Sequence, residues 1–301
     1  GIPRRAAPVV TARVVAHGGT SGSGNLVNSS NEAHPVTING AGSVREKSVF
    51  RGTDRGSTAR VIPVLDLRHG QAVRAVGGDR ANYQPLGSVW AASSDPVELG
   101  AALGSRGGFE ELYVADLDAI EERRPHAEIL TALSRSGMKL WLDLGLRGVE
   151  DLELPGLETA SSVIAGLETL GGPDELSEIL DRLGPDRLVL SVDLDGGRPR
   201  CAAGSRWADR RACWIVGLAV GLGVRRCLLL ELSAVGTTGG LGALGLLNQL
   251  GASLAGVEWS IGGGIARGEE LRQAAEAGAS AVLVGAAIHD GVINNDQKFI
   301  M

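Results

Sequence analysis

Cysteine is scarce in this 301-residue chain: Cys201, Cys213 and Cys227 are odd in number and form no Cys-x-x-Cys pair. That fits a reducing compartment and offers no thiolate metal framework. Histidine is hardly more abundant, and His17, His34, His69, His126 and His289 are scattered, so no histidine metal site is expected. Long apolar runs are missing as well. The longest, Trp214–Val224, falls well short of the about 20 residues a bilayer helix needs, and no charged-then-apolar leader stands at the start. Basic charge is also short. The chain is −6 overall, and residues 1–60 hold eight Lys/Arg against three acids, which leaves −11 on residues 61–301. An acidic body without a basic stripe argues against nucleic acid as a partner. Any anionic ligand must then be held by local backbone N–H groups and not by the global field. The expectation is a soluble, cytoplasmic protein with neither nucleic-acid nor membrane partners. Nothing in the pattern fixes an oligomeric state.

Residues 1–60 are rich in Gly, Ser, Asn and Thr and hold no apolar periodicity over two turns, which predicts a flexible low-complexity extension. Inside it, Arg13–Gly24 resembles the glycine-rich phosphate turn of short-chain dehydrogenases. That turn works because a helix follows it, and Asn25–Gly42, with Asn-Ser-Ser-Asn, His-Pro and Asn-Gly, predicts no helix. A cleaved Arg-rich transit segment is the other functional reading of these residues. An extension without function is the preferred one.

From Val61 onward short apolar strands alternate with helical stretches, the pattern of a parallel α/β fold. Strands are expected at Val61–Leu67, Leu112–Asp118, Lys139–Gly145, Ser161–Gly166, Arg187–Asp193, Cys227–Leu232, Val257–Ile261 and Ala281–Gly285. Helices are expected from near Pro96, Pro125, Pro173, Ala208, Leu241 and Gly268; Pro155 leaves the third connection only a short helix. Eight strands in this length match a (β/α)8 barrel over residues 61–291, followed by a tail over 292–301. The sequence also repeats itself. Asp143–Leu152 aligns with Gly262–Leu271 and Ser162–Gly166 with Ala281–Gly285, both at an offset of 119, while Asp66 and Asp193 lie 127 apart in matching phrases. Two similar half-barrels closing on each other are the economical reading.

In such a barrel the active site lies at the carboxyl ends of the strands. That brings Asp66, Asp116, Asp118, Asp143, Asp193, Asp195, Glu231 and Thr237 within reach of one mouth. Asp66 and Asp193, equivalent in the two halves, are the candidate pair, one giving a proton and one taking it. The alternative is that each caps a loop or pairs with an arginine such as Arg68 or Arg198. Asp116 and Asp118 read as loop structure. After strands seven and eight, Gly262, Gly263 and Gly264, and then Gly285 and Ala286, are small enough to let backbone amides approach a phosphate. The first-half equivalents are degraded: Asp143-Leu-Gly145 replaces the triple glycine, and Leu-Glu-Thr follows Gly166. A carboxylate there repels a phosphate, so one phosphate site is expected, not two.

Together these residues resemble the histidine-biosynthesis barrel family, closest to its phosphoribosylformimino-aminoimidazole-carboxamide ribotide isomerases and including the cyclase subunit of imidazole glycerol phosphate synthase. The resemblance covers about Arg60–Gly291 and is carried by Ile62–Arg74, Gly77-Gly-Asp79, Tyr113–Asp118, Ser191–Gly197, Gly236-Thr237 and the two glycine loops. It implies an Amadori rearrangement of an N-linked phosphoribosylamine to the aminoketose, with Asp66 as base, Asp193 as acid and Thr237 orienting the substrate, without metal or organic cofactor. Two positions depart from the family pattern: Val235 stands where an acid precedes Gly-Thr, and Asp143 stands in the first-half loop. Two other readings follow from the departures. The chain is then a relative acting on a singly phosphorylated small molecule by a lyase or condensing step, or a non-catalytic phosphosugar-binding subunit.

Overall fold

The computed structural model of the protein describes residues 59–236 and 241–294 and the backbone of Phe299–Ile300. Thr237 and all but the last two residues of the expected extension lie outside the described residues.

Eight parallel strands close into a barrel: Ala59–Arg68, Glu111–Asp116, Lys139–Asp143, Ala160–Gly166, Leu188–Asp195, Arg226–Glu231, Glu258–Gly262 and Ala281–Val284. Each pairs with its successor, and the eighth returns to the first with Ile62 beside Leu283. Both faces of every strand are covered, which is why the sequence shows apolar runs and not clean alternation. Successive side chains still point opposite ways. Val61, Leu65 and Leu67 face the helices, whereas Ile62, Tyr113, Trp141, Ile164, Val189, Leu228 and Leu283 fill the barrel interior.

The amino-terminal end of the interior is filled by charge. Arg60 reaches Glu111 at 2.9 Å and Glu258 at 2.6 Å. Arg226 donates to Ser162 Oγ at 2.9 Å and lies 4.7 Å over the Trp141 ring, whose Nε1 donates to Glu111 at 3.1 Å. The opposite end is left open.

Among the described residues eight helices surround the barrel: α1 (Pro96–Ser105), α2 (Leu117–Glu122), α3 (Ala127–Ser134), α4 (Pro173–Leu183), α5 (Ala212–Leu222), α6 (Leu244–Ser253), α7 (Gly268–Glu276) and α8 (Ala286–His289). Asp95 caps α1 by accepting from Val97 and Glu98 amides at 2.8 and 2.9 Å. The third connection holds only two 3-10 turns, Val149–Glu153 and Leu157–Thr159, around Pro155. Helix α2 was not expected. The second strand stops at Asp116 because its carboxylate accepts the Ala119 amide at 3.1 Å and the His126 amide at 2.7 Å, starting α2 and holding back α3 to Ala127. Helices α5 and α6 likewise begin at Ala212 and Leu244, a few residues later than expected. Among the described residues no helix is long and apolar enough to cross a membrane.

The two halves repeat a further device. After the first strand, His69 and Gly70 (φ 50° and 75°) turn the chain into Gln71–Arg74, which pairs back with Val73 beside Asp66. After the fifth, Gly196 and Gly197 (φ 57° and 78°) turn it into Arg198–Pro199. Positive φ at both central residues matches the twist of a tight hairpin. The last strand segment, Phe299–Ile300, pairs antiparallel with Ala59–Arg60, so these two residues are sheet and not a bare tail.

Candidate active site

A cavity opens at the carboxyl ends of the strands, and both Asp66 and Asp193 line it. Neither acid is taken up by the arginines that the alternative reading named. Arg68 instead binds the Arg80 carbonyl and Glu121, and no ion pair involving Asp66 or Asp193 forms among the described residues. Burial pushes the Asp66 carboxyl up to about 7, against the nearby Arg80 charge that favours ionisation. Burial also pushes Asp193 up to about 7, here helped by the negative charges of Glu168 and Asp143 and opposed by a 2.6 Å hydrogen bond from Ser191 Oγ. Arg80 favours ionisation of both acids, but Asp193 also feels the negative charges of Glu168 and Asp143.

Between them lies a third raised acid. Burial and then Glu168 push Asp143 up to about 6, while the Tyr113 hydroxyl donates to it at 3.2 Å and the Gly145 amide at 3.0 Å. Glu168 is held by Arg80 at 2.6 Å and approached by Arg200 at 3.9 Å. Tyr83 completes this side, its hydroxyl pushed up to about 12 by burial and by the Asp66 charge.

Of the expected phosphate residues, Gly263, Gly264, Gly285 and Ala286 line the cavity, but Gly262 does not. A Cβ on Gly262 would lie 2.8 Å from Leu230 Cδ1 and 3.2 Å from Leu283 Cβ, so its smallness serves packing inside the barrel wall. Gly263 has φ 91°, and a Cβ there would lie 2.3 Å from the Glu231 carbonyl oxygen. Gly263→Ala is therefore expected to cost about 1–3 kcal/mol of stability, read as a lowered denaturant midpoint. The amide of Gly264 has no acceptor among the described residues. Gly236 lines the cavity, whereas Thr237 lies outside the described residues.

The remaining acids of the mouth have other tasks. Asp118 accepts the His69 amide at 2.7 Å and so pins the first hairpin. Glu231 pins the second by accepting the Gly196 and Gly197 amides, each at 3.0 Å. The histidines are less scattered than their spacing predicts: His126 lies 3.0 Å from Asp116 and 3.3 Å from Asp118, with His69 Nδ1 3.7 Å from Asp118.

A barrel with this mouth has known counterparts. Residues 60–294 match the family described as histidine biosynthesis protein. The chain belongs to that family. Among its relatives is the 1-(5-phosphoribosyl)-5-((5-phosphoribosylamino)methylideneamino)imidazole-4-carboxamide isomerase of Thermus thermophilus, 30% identical over 241 residues, or 78% of this chain and 96% of the relative. An uncharacterised protein of Methanocaldococcus jannaschii is 29% identical over 240 residues, 79% of this chain and 96% of its own length. The imidazole glycerol phosphate synthase subunit HisF of Corynebacterium glutamicum is 28% identical over 249 residues, covering 78% and 91% of the two chains. Three relatives with three descriptions thus stand within two percentage points of one another. Overall identity does not choose among their reactions; the side chains in the mouth must.

In this histidine biosynthesis barrel, Arg80, Arg200, Tyr83 and Tyr113 line the cavity without having been expected there. Tyr113 was within reach of sequence reasoning, since it sits two residues before the inward-facing Ala115 on a strand with period two. The arginines were not, because both sit just beyond a hairpin whose fold-back aims them.

Proposed function

We propose that the protein catalyses an Amadori-type aldose-to-ketose rearrangement of an N-linked phosphoribosylamine, with Asp66 and Asp193 as its base and acid. The observation that carries this reading is two carboxyl groups, one from each half of the barrel, on one cavity and both raised to about 7. A group titrating near neutrality can both give and take a proton at working pH. Asp193, surrounded by Glu168 and Asp143, holds its proton and delivers it to the ring oxygen as the C1–O bond breaks. The nitrogen lone pair then forms the C1=N bond of an iminium. Asp66, beside Arg80, is the acid favoured to ionise, and it takes the C2 proton. The resulting enaminol becomes the aminoketose by gaining a proton at C1 as the C2 carbonyl forms. The reaction as written needs only proton transfers.

The phosphate of the substrate is assigned to the free Gly264 amide and to the backbone of Gly285 and Ala286 on the cavity wall, with Gly263 letting the chain approach. Thr237 is assigned the orienting role that the family resemblance implies. Relatives named as isomerases support the reaction class. A subunit that only bound a phosphosugar would have no use for two carboxyls raised in this way.

The test is to incubate the full chain with an N-aryl 5-phosphoribosylamine and follow the product by NMR and mass. The expected product is an aminoketose of unchanged mass. Release of the arylamine or cleavage of the carbon chain would overturn the reading in favour of a lyase.

A further inference from the structure

We propose that the barrel accepts one phosphate per chain, in the second-half cup, and therefore takes a sugar-phosphate substrate whose far end bears no phosphate. The inference rests on the assignment of that cup given above, and concerns what has become of its counterpart. The two cups share one backbone design. Gly166 stands beside Ser191 in the fourth and fifth strands, and the register of the eighth and first, Val284 beside Pro63, carries on to place Gly285 beside Val64. In the first half the Thr169 and Leu170 amides donate to the Gly166 carbonyl at 3.2 and 3.1 Å; in the second, the Ile288 and His289 amides donate to Gly285 at 3.0 and 3.3 Å. Gly145 and Gly264 turn alike, with φ 69° and 79°.

What differs is whether the donors are free. In the first half the Gly145 amide is taken by the Asp143 carboxylate at 3.0 Å, and the Leu167 amide by the Ser191 carbonyl at 3.2 Å. In the second half Gly262 stands in the place of Asp143 and has no side chain to offer. The Val64 carbonyl, counterpart of Ser191, accepts from His289 Nε2 at 2.9 Å, and the Gly264 amide, counterpart of Gly145, has no acceptor among the described residues. His289 itself accepts at Nδ1 from Ser88 Oγ at 3.1 Å, and burial pushes its pKa down, so the neutral ring is held with its Nε2 proton on Val64.

Charge completes the contrast. Glu168 occupies the position equivalent to Ala287 and lines the cavity with its side chain 10% exposed. Arg80 and Arg200 would attract an anion if free, but Glu168 already engages both, and Glu121 lies 3.6 Å from Arg80. A phosphate there would displace Glu168 from Arg80 and then stand among the carboxylates of Glu168 and Asp143. The first-half cup carries its own built-in anions.

The full chain titrated with inorganic phosphate, by calorimetry and phosphorus NMR, is expected to bind one equivalent. Ala286→Asp should abolish that site, whereas Asp143→Gly combined with Glu168→Ala should add a second by releasing the Gly145 amide and Arg80. An aminoketose with one phosphate should bind the unaltered chain at least about tenfold more tightly than its analogue with a phosphate at each end. Two phosphates per unaltered chain, or tighter binding of the bis-phosphate, would overturn this inference and leave the second-half cup standing. No bound phosphate, or binding indifferent to Ala286→Asp, would overturn the cup itself, whatever chemistry Asp66 and Asp193 perform.

Discussion

Asp193→Asn is expected to lower kcat of the rearrangement by roughly a hundred- to ten-thousand-fold, the range over which a positioned general acid or base acts. Asparagine keeps the shape and the partner Ser191 but has no proton to deliver. Asp66→Asn should lose a comparable factor, and the double variant little more than either, because a base is useless without the acid that opens the ring. The pH dependence carries the assignment further. The base must be ionised, so the rate rises through about 7; the acid must be protonated, so it falls through about 7. The profile of kcat/KM should be a narrow bell centred near neutrality, with apparent values that belong to the pair. Asp66→Asn should remove the rise on the acid side and leave the fall on the alkaline side in what activity remains. A flat profile, or full activity in either variant, would remove the pair from the mechanism.

The same acids tie activity to stability. Asp66 is raised from 3.8 to about 7 on folding, so between those values the folded state holds more protons than the unfolded chain. Stability must then fall as pH rises through that window, with no penalty below it and the full penalty above it. Asp66→Asn should match the unaltered protein in Tm at about pH 4 and exceed it by a few degrees at about pH 8, while being inactive.

Trp141→Ala is expected to be the most damaging single change to the fold. Its ring is 1% exposed in the barrel interior, under the Arg226 guanidinium and bonded to Glu111. Truncation leaves a cavity and costs about 3–5 kcal/mol. For a domain of this size that corresponds to a Tm lower by roughly 10 °C or more. Trp141→Phe should recover most of the loss, since it restores packing and forgoes only the Nε1 hydrogen bond. A loss below about 1 kcal/mol for the alanine variant would show that the charged floor, and not this ring, holds that end of the barrel.

The barrel and its duplication were legible because burial on both faces writes itself into the chain as short apolar runs with an acid or glycine at the end. Gly77-Gly-Asp79 was visible as a phrase, but its neighbour Arg80 was not legible as a cavity residue. Its place is set by the hairpin that His69 and Gly70 turn, and by Glu168 from a strand three places round the barrel. Helix α2 was missed for a related reason: Leu117-Asp118 continues the apolar run of the second strand, and only the Asp116 carboxylate folding onto the Ala119 amide ends it.

What the sequence by itself determined is the fold, the repeat and the positions of Asp66 and Asp193, because strand phase and the 127-residue spacing are properties of the chain order alone. What only the tertiary structure decided is which charged groups and carbonyls of the mouth are already engaged. That Arg80 is held by Glu168 and the Val64 carbonyl by His289 depends on contacts between strands far apart in the chain. Hydrogen bonds of that kind are set by closure of the barrel, and no local pattern of residues encodes them.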